Sequence, residues 1–273
     1  GQLYVHAAAT NAITPDYGVL VTVAGDGVVS NADSWIYSIS QPINGGSPLY
    51  RMRNLTLASA GAGFNASARG FVGGVNASTN GNGPGASPYG GSGGSSGGAG
   101  YGGVGGNGQT GIGGTNYGSA LTPLFPGSGA GWFNWGPLTT RGGDGGGLLR
   151  IQVSRNLALN GTLRADGGQG SGLLGGEDTQ RLGGGSGGGI HVTCKTLSGT
   201  NATLSAIGAN GRVGGFTGGG GGGGRIAIWS QYDLSLTNTW TFSLAGGTGQ
   251  QAGQPGTLYW GQMQAPGTIV LIR

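Results

Sequence analysis

Seven consecutive glycines, Gly218 to Gly224, run directly into the strand-like segment Arg225–Trp229 in "TGGGGGGGRIAIWS". Glycine loses more backbone freedom on folding than any other residue, so an ordered run of it needs repeated compensation. A residue without a side chain has three sources: backbone hydrogen bonds, Cα–H···O contacts, and close approach of chains where a Cβ would not fit. Glycine supplies 71 of the 273 residues, so the question extends to the whole chain. Collagen needs glycine at every third position and far more proline than the 10 present. A flexible linker is poor in large apolar residues. Here 36% of residues are hydrophobic, with six tryptophans and nine tyrosines. The glycine runs are therefore structural. They are either tight corners with positive φ or extended threefold segments packed side by side, resembling a polyproline helix. On the second reading, a β-branched residue at Gly221 is more damaging than alanine at Arg225.

Charge is scarce, at 7% of residues, and none falls between Gly70 and Thr140. Such a neutral surface suits a chain packed against copies of itself. The net charge of +4 comes from arginines scattered in sequence without a basic cluster, which disfavours nucleic acid as a partner. Cys194 is the only cysteine, so no internal disulfide forms. No stretch is long and apolar enough to span a membrane. No signal peptide is visible, and composition favours an extracellular material.

Three regions differ in texture. Residues 1–68 read as strands separated by turns: "QLYVHA", "GVLVTVAG", "SWIYSIS" and "LYRMRNLTL". Residues 69–147 are neutral and glycine-rich, with spaced aromatics Tyr89, Tyr101, Tyr117, Trp132, Phe133 and Trp135 that would cover the edges of a glycine layer. Residues 148–273 return to strands with glycine between them, and the three regions form one continuous unit. The last region repeats itself. Leu149, Ile190 and Ile226 align, as do Ile151, Val192 and Ile228, then Leu157, Leu197 and Leu234, then Leu163, Leu204 and Phe242. Gly167, Gly208 and Gly246 follow at a constant distance, and "NLTLASAGAGFNAS" from Asn54 is a fainter earlier copy. Each copy holds two strand-like segments and no helical pattern. Such a unit cannot bury its apolar face alone, and stacking the copies does. The expected fold is all-β: a parallel β-solenoid or β-helix with packed polyglycine-rich segments.

The series "YGSALTPLFPGSGAG", "GGDGGGLLRIQV", "GTLRADGG", "GGGSGGGIHV" and "GGGGGGGRIAIWS" resembles a pattern in secreted bacterial glycine-rich β-repeat cell-surface proteins, over about residues 50–232. The resemblance implies an extracellular structural or adhesive protein and brings no catalytic residues.

The chemistry-bearing residues are few. GxGxxG matches carry no information at this glycine content, and none opens a helix after a strand. Lys195, the only lysine, lies in a strand rather than a phosphate loop. His6 and His191 with one cysteine make no convincing zinc site, and His191 alternates with Ile190 and Val192, so it points outward. Asp144, Asp166, Glu177 and Asp178 fall in one stretch with Arg150 and Arg164. A polysaccharide-active enzyme needs a carboxylate pair about 5–10 Å apart, whereas the plainer reading makes these residues hydrogen-bond acceptors for glycine corners. Oxygen-rich turns can hold calcium, but the nonapeptide calcium repeat is absent. Asn54, Asn65, Asn76, Asn160 and Asn201 each begin a glycosylation sequon. Cys194 aligns with Val153 and reads as a buried, inert thiol.

The ends are strands without polar caps: "GQLYVHA" at one, "GTLYWGQM" and "GTIVLIR" at the other. Open strand edges invite pairing with another chain, and head-to-tail contacts that do not close build filaments. The residues expected to carry self-association are Leu3, Tyr4 and Val5, with Leu258, Tyr259, Trp260, Ile269, Val270, Leu271 and Ile272. Folding back of 257–273 onto its own core is compatible with this. The expected function is a non-enzymatic structural protein that needs no cofactor or metal and forms a homo-oligomeric filament or surface layer. The alternatives are a carbohydrate-binding or polysaccharide-active β-helix, with a surface polysaccharide as partner and Tyr117, Trp132 and Trp135 exposed, or an adhesive fibre tip.

Overall fold

The computed structural model describes residues 1–9, 16–75, 79–91, 94–133, 140–171, 181–213 and 216–264. In chain order the strands are β1 (Gln2–His6), β2 (Val19–Val29), β3 (Trp35–Ile39), β4 (Pro48–Leu57), β5 (Gly63–Asn65), β6 (Leu148–Leu159), β7 (Thr162–Arg164), β8 (Gly189–Ser198), β9 (Thr203–Ser205), β10 (Arg225–Asp233), β11 (Thr241–Ser243) and β12 (Thr257–Gln262). They form two six-stranded sheets, and every pairing is parallel. The long strands lie in the order β2-β4-β6-β8-β10-β12 and the short ones in the order β1-β3-β5-β7-β9-β11. The described residues contain no α-helix, so the chain is all-β. Consecutive strands alternate between the sheets, and each sheet grows one neighbour at a time.

Register follows the apolar alternation. In the long sheet Val21, Tyr50, Ile151, Val192, Ile228 and Trp260 form one row. In the short sheet Leu3, Ile36, Phe64, Leu163, Leu204 and Phe242 form another. Both rows feed a single core, which the Tyr50 and Phe64 rings bridge edge-on at 5.0 Å. A one-residue slip would turn every apolar side chain to the wrong face. That rule corrects one alignment: Leu197 pairs with Asp233, which puts Leu234 one position beyond the core row, where it is exposed.

Strands β4 and β6 pair directly although residues 66–147 lie between β5 and β6. That glycine-rich region joins the segments after β7, β9 and β11 in a second layer made of backbone. The seven-glycine run lies inside it, entirely buried. The amides of Gly219 through Gly224 donate in turn to the carbonyls of Ser96, Gln251, Ala209, Ala99, Gln254 and Ala206, at 2.7–3.0 Å. The same neighbour recurs every third residue, which is the period of a polyproline-type helix. The run's carbonyls face three other segments: Gly184 and Gly187 donate to Gly219 and Gly222, Gly106 and Gly103 to Gly220 and Gly223, and Gly247 to Gly221. Six segments thus surround one, with amides toward three and carbonyls toward the others.

The threefold spacing recurs elsewhere. Gly143 and Gly146 donate to Gly183 and Ser186, and Gly127 and Ala130 donate to Gly146 and Gly143. None of Gly218 to Gly224 has positive φ, which is confined to Gly45, Gly63, Gly83, Gly91, Gly118 and Gly199 among the described glycines. The run is therefore packed backbone and not a series of corners. Three of the described aromatics of the middle region lie inside this layer rather than along its edges. Tyr101, Trp132 and Phe133 are buried within it, and Tyr89 stacks on Trp132 at 6.1 Å.

Candidate self-association surfaces

Each sheet has two outermost strands among the described residues: β1 and β2 at one end of the stack, β11 and β12 at the other. On β1, Leu3 and Val5 face the core, while Tyr4 faces outward and stacks on Tyr37 at 4.6 Å. The Arg69 guanidinium covers the Tyr37 ring at 4.5 Å. On β12, Leu258 continues the row of Leu149, Ile190 and Ile226, and Trp260 continues that of Ile228. Tyr259 lies on the outer face against Trp229 at 5.1 Å. Trp260 packs with Trp240 and Phe242, and its indole N–H donates to Asp233 at 2.9 Å.

Exposure along these rows changes sharply at the ends. Phe64 and Leu204 are 0% exposed but Leu3, in their row, is 55% exposed; Leu149 and Ile226 are 0% exposed but Leu258 is 45% exposed. Val5, Val21, Val23, Ile36, Phe242 and Trp260 are likewise only partly covered. The structure places the two groups at opposite ends of the stack rather than together. Ile269, Val270, Leu271 and Ile272 lie outside the described residues. Val28, Leu234 and Leu236 add exposed apolar surface that sequence reading missed; Val28 has a strand-alternation signal, but Leu234 was assigned inward.

The two described acids of the stretch, Asp144 and Asp166, are both engaged in local contacts. Asp144 accepts the Gly73 amide at 2.8 Å and is ion-paired to Arg141. Asp166 accepts from the Ser205 hydroxyl and from the Ile207 amide at 3.0 Å, with Arg164 at 3.5 Å. Both carboxylates serve local structure, and Glu177 and Asp178 lie outside the described residues. Trp132 is buried against Thr140, and the Tyr117 hydroxyl donates to the Pro126 carbonyl at 2.5 Å, so neither offers the exposed ring expected of a sugar platform. Trp135 and Asn76 lie outside the described residues. The Asn160 side chain accepts the Thr200 amide at 2.7 Å, tying two successive turns together.

His191 lies on the outer face of the long sheet between Arg150 and Ala227, yet it is 8% exposed. Burial, assisted by Arg150, pushes its pKa down to about 4. Cys194 is buried in the core, and burial, with a contribution from Asp233, pushes its thiol up to about 12.

One sequence reading is overturned here. Arg51 and Arg53 of β4 and the sequence-distant Arg155 of β6 line a single open groove of about 620 Å³ on the long sheet, with Gln152, Ser154 and Thr193. Parallel stacking superposes residues from different copies, so cations scattered in sequence become a cluster. Comparison with protein-family models, with curated proteins and with solved structures finds no match.

Proposed function

We propose that the chain is an extracellular structural protein whose two sheets are the faces of a parallel β-solenoid, and that it associates end to end through the open edges of that stack. The alternation of strands between two sheets, one coil at a time, supports the solenoid reading. The observation that carries self-association is the uncovered core at both ends, where Leu3 and Leu258 occupy core-row positions yet are 55% and 45% exposed. A second copy placing its β11–β12 end against β1–β2 would extend both sheets and bury these rows. Parallel edge pairing supplies the hydrogen bonds, and each covered leucine contributes about 1–2 kcal/mol. The contact is head to tail, so it propagates. The resemblance to secreted glycine-rich β-repeat proteins agrees with a role outside the cell. Cohesion from apolar contacts and backbone hydrogen bonds resists salt, because exposed ion pairs contribute little of it.

Sedimentation and negative-stain electron microscopy of the purified chain test the reading. Concentration-dependent linear polymers that survive moderate salt are expected, with Leu3→Lys or Leu258→Lys shifting the population to monomers. A chain that stays monomeric at all accessible concentrations, or polymers indifferent to both substitutions, refutes it. Discrete monomers that cleave a polysaccharide would favour the enzymatic alternative.

A further inference from the structure

The cationic groove has an internal order that its arginines alone do not reveal. Three successive copies carry a basic residue two positions before a core leucine: Arg53-Asn54-Leu55, Arg155-Asn156-Leu157 and Lys195-Thr196-Leu197. The leucines are in register across β4, β6 and β8. The basic residues therefore stack as a row across these strands, about 4.8 Å apart per step, with Arg51 beside them. Like charges facing each other across paired strands are destabilising.

Only Asp26 answers them among the described residues, pairing with Arg53 at 3.1 Å; no ion pair engages Arg51, Arg155 or Lys195. The backbone is also specialised here. Register shifts interrupt all three pairings at this height: between Val23 and Asp26 on β2, between Met52 and Leu55 on β4, and between Val153 and Asn156 on β6. Bulges of this kind re-aim side chains and are common beside binding sites. The stacked bulges and Arg51, Arg53 and Arg155 coincide in one groove, with Lys195 on the next strand just beyond its lining, and a single acid, Asp26, offsets these cations.

We propose that this groove binds an acidic polysaccharide. Guanidinium groups match carboxylate and sulfate oxygens in a two-pronged geometry. Gln152, Ser154, Thr22 and Thr193 line the same groove and can exchange hydrogen bonds with sugar hydroxyls. The cationic row from β4 to β8 spans about 10 Å, and about 14 Å with β2 as the near wall. That is too long for one small anion and suits a short stretch of charged chain. No aromatic ring lines the groove, so nucleobases would find no stacking platform. The site lies on the side of the stack, does not depend on self-association, and would repeat along any filament, adding avidity.

Calorimetric titration of the full chain with alginate, dextran sulfate, neutral dextran, inorganic phosphate and duplex DNA tests this. Alginate or dextran sulfate is expected to bind, more weakly as salt rises, with no binding of neutral dextran and only feeble binding of phosphate. The pair Arg155→Gln and Lys195→Gln should weaken polysaccharide binding about tenfold or more. Arg164→Gln, on the short sheet, should leave it unchanged. The double variant should melt at the same temperature or higher, because a repulsive row is removed; a purely structural role predicts a lower one. Absence of binding to both acidic polymers at low salt, affinity unaffected by the double variant, or tighter binding of duplex DNA than of either polysaccharide would overturn the proposal.

Discussion

Substitution of Gly221 by alanine isolates the close-packed backbone layer. A Cβ at this position would lie 2.7 Å from the carbonyl carbon of Gly185, and nearer still to its oxygen. Carbon contacts are optimal at about 3.5–4.0 Å, so the segments must separate by roughly 1 Å. Overpacking of this kind costs about 1–3 kcal/mol. Separation also strains two buried hydrogen bonds, from the Gly221 amide to Ala209 and from the Gly247 amide to Gly221, both at 2.8 Å. Each costs about 1–3 kcal/mol when left unmade. Restriction of the unfolded chain by alanine offsets about 0.4–1 kcal/mol. A net loss of about 2–9 kcal/mol is expected, the upper end applying when both bonds are lost, a large share of a typical stability of about 5–15 kcal/mol, and Gly221→Val should lose more.

Gly25→Ala is the control. That glycine lies in β2 without positive φ, and nothing stands within 4 Å of its added Cβ, so an effect within about 0.5 kcal/mol is expected. Arg225 is a poorer comparison. It is 6% exposed, donates to the Tyr117 carbonyl at 3.0 Å and to Thr257 at 3.1 Å, and lies over the Tyr101 ring. Its truncation therefore has its own cost. Urea unfolding followed by tryptophan fluorescence reads all three variants. Equal midpoints for Gly221→Ala and Gly25→Ala would show that the seven-glycine run tolerates side chains, and the packing argument would fail.

His191 makes the fold sensitive to acid although charge is otherwise scarce. Its pKa is held at about 4, against an ordinary 6.5, so the folded chain resists protonation that the unfolded chain accepts. Stability from this residue is complete above pH 6.5 and is lost as pH falls toward 4, by up to about 3 kcal/mol. Melting temperatures measured from pH 7 to pH 4 should fall more in the native chain than in His191→Gln; parallel curves would refute the assignment. Cys194, with its thiol pushed up to about 12 by burial, should react with a thiol reagent only at the rate of global unfolding. Rapid modification of the folded chain, read by mass spectrometry, would contradict its place in the core.

The rows of the core were legible because strand alternation is a two-residue signal that survives in each copy. Leu149, Ile190 and Ile226 could be aligned without coordinates, and the register reproduces the alignment. It failed at Leu234, where apolar identity suggested a core position but unbroken spacing along β10 turns the residue outward. Glycine runs carry no such signal. Nothing in "GGGGGGG" tells which carbonyl each amide will reach, because all residues in it are alike. The partners Ser96, Ala209 and Gln254 come from segments far apart in sequence. What sequence could supply was the exclusion of alternatives. An ordered glycine must be compensated through its backbone, and a charge-free stretch from Gly70 to Thr140 leaves few side-chain routes.

The cationic groove was hidden for a related reason. Aligning copies on their apolar residues discards the outward positions, where Arg53, Arg155 and Lys195 recur beside the core leucines. A stacked fold turns recurrence along the chain into adjacency across strands. In such a chain each outward position is a potential row, and its charge has to be read down the stack rather than along the sequence. The same rule explains why so few charges suffice: one basic residue per copy, repeated in three neighbouring strands and answered among the described residues by Asp26, places a charge of +2 (three cations less one acid), half of the net +4, on one face.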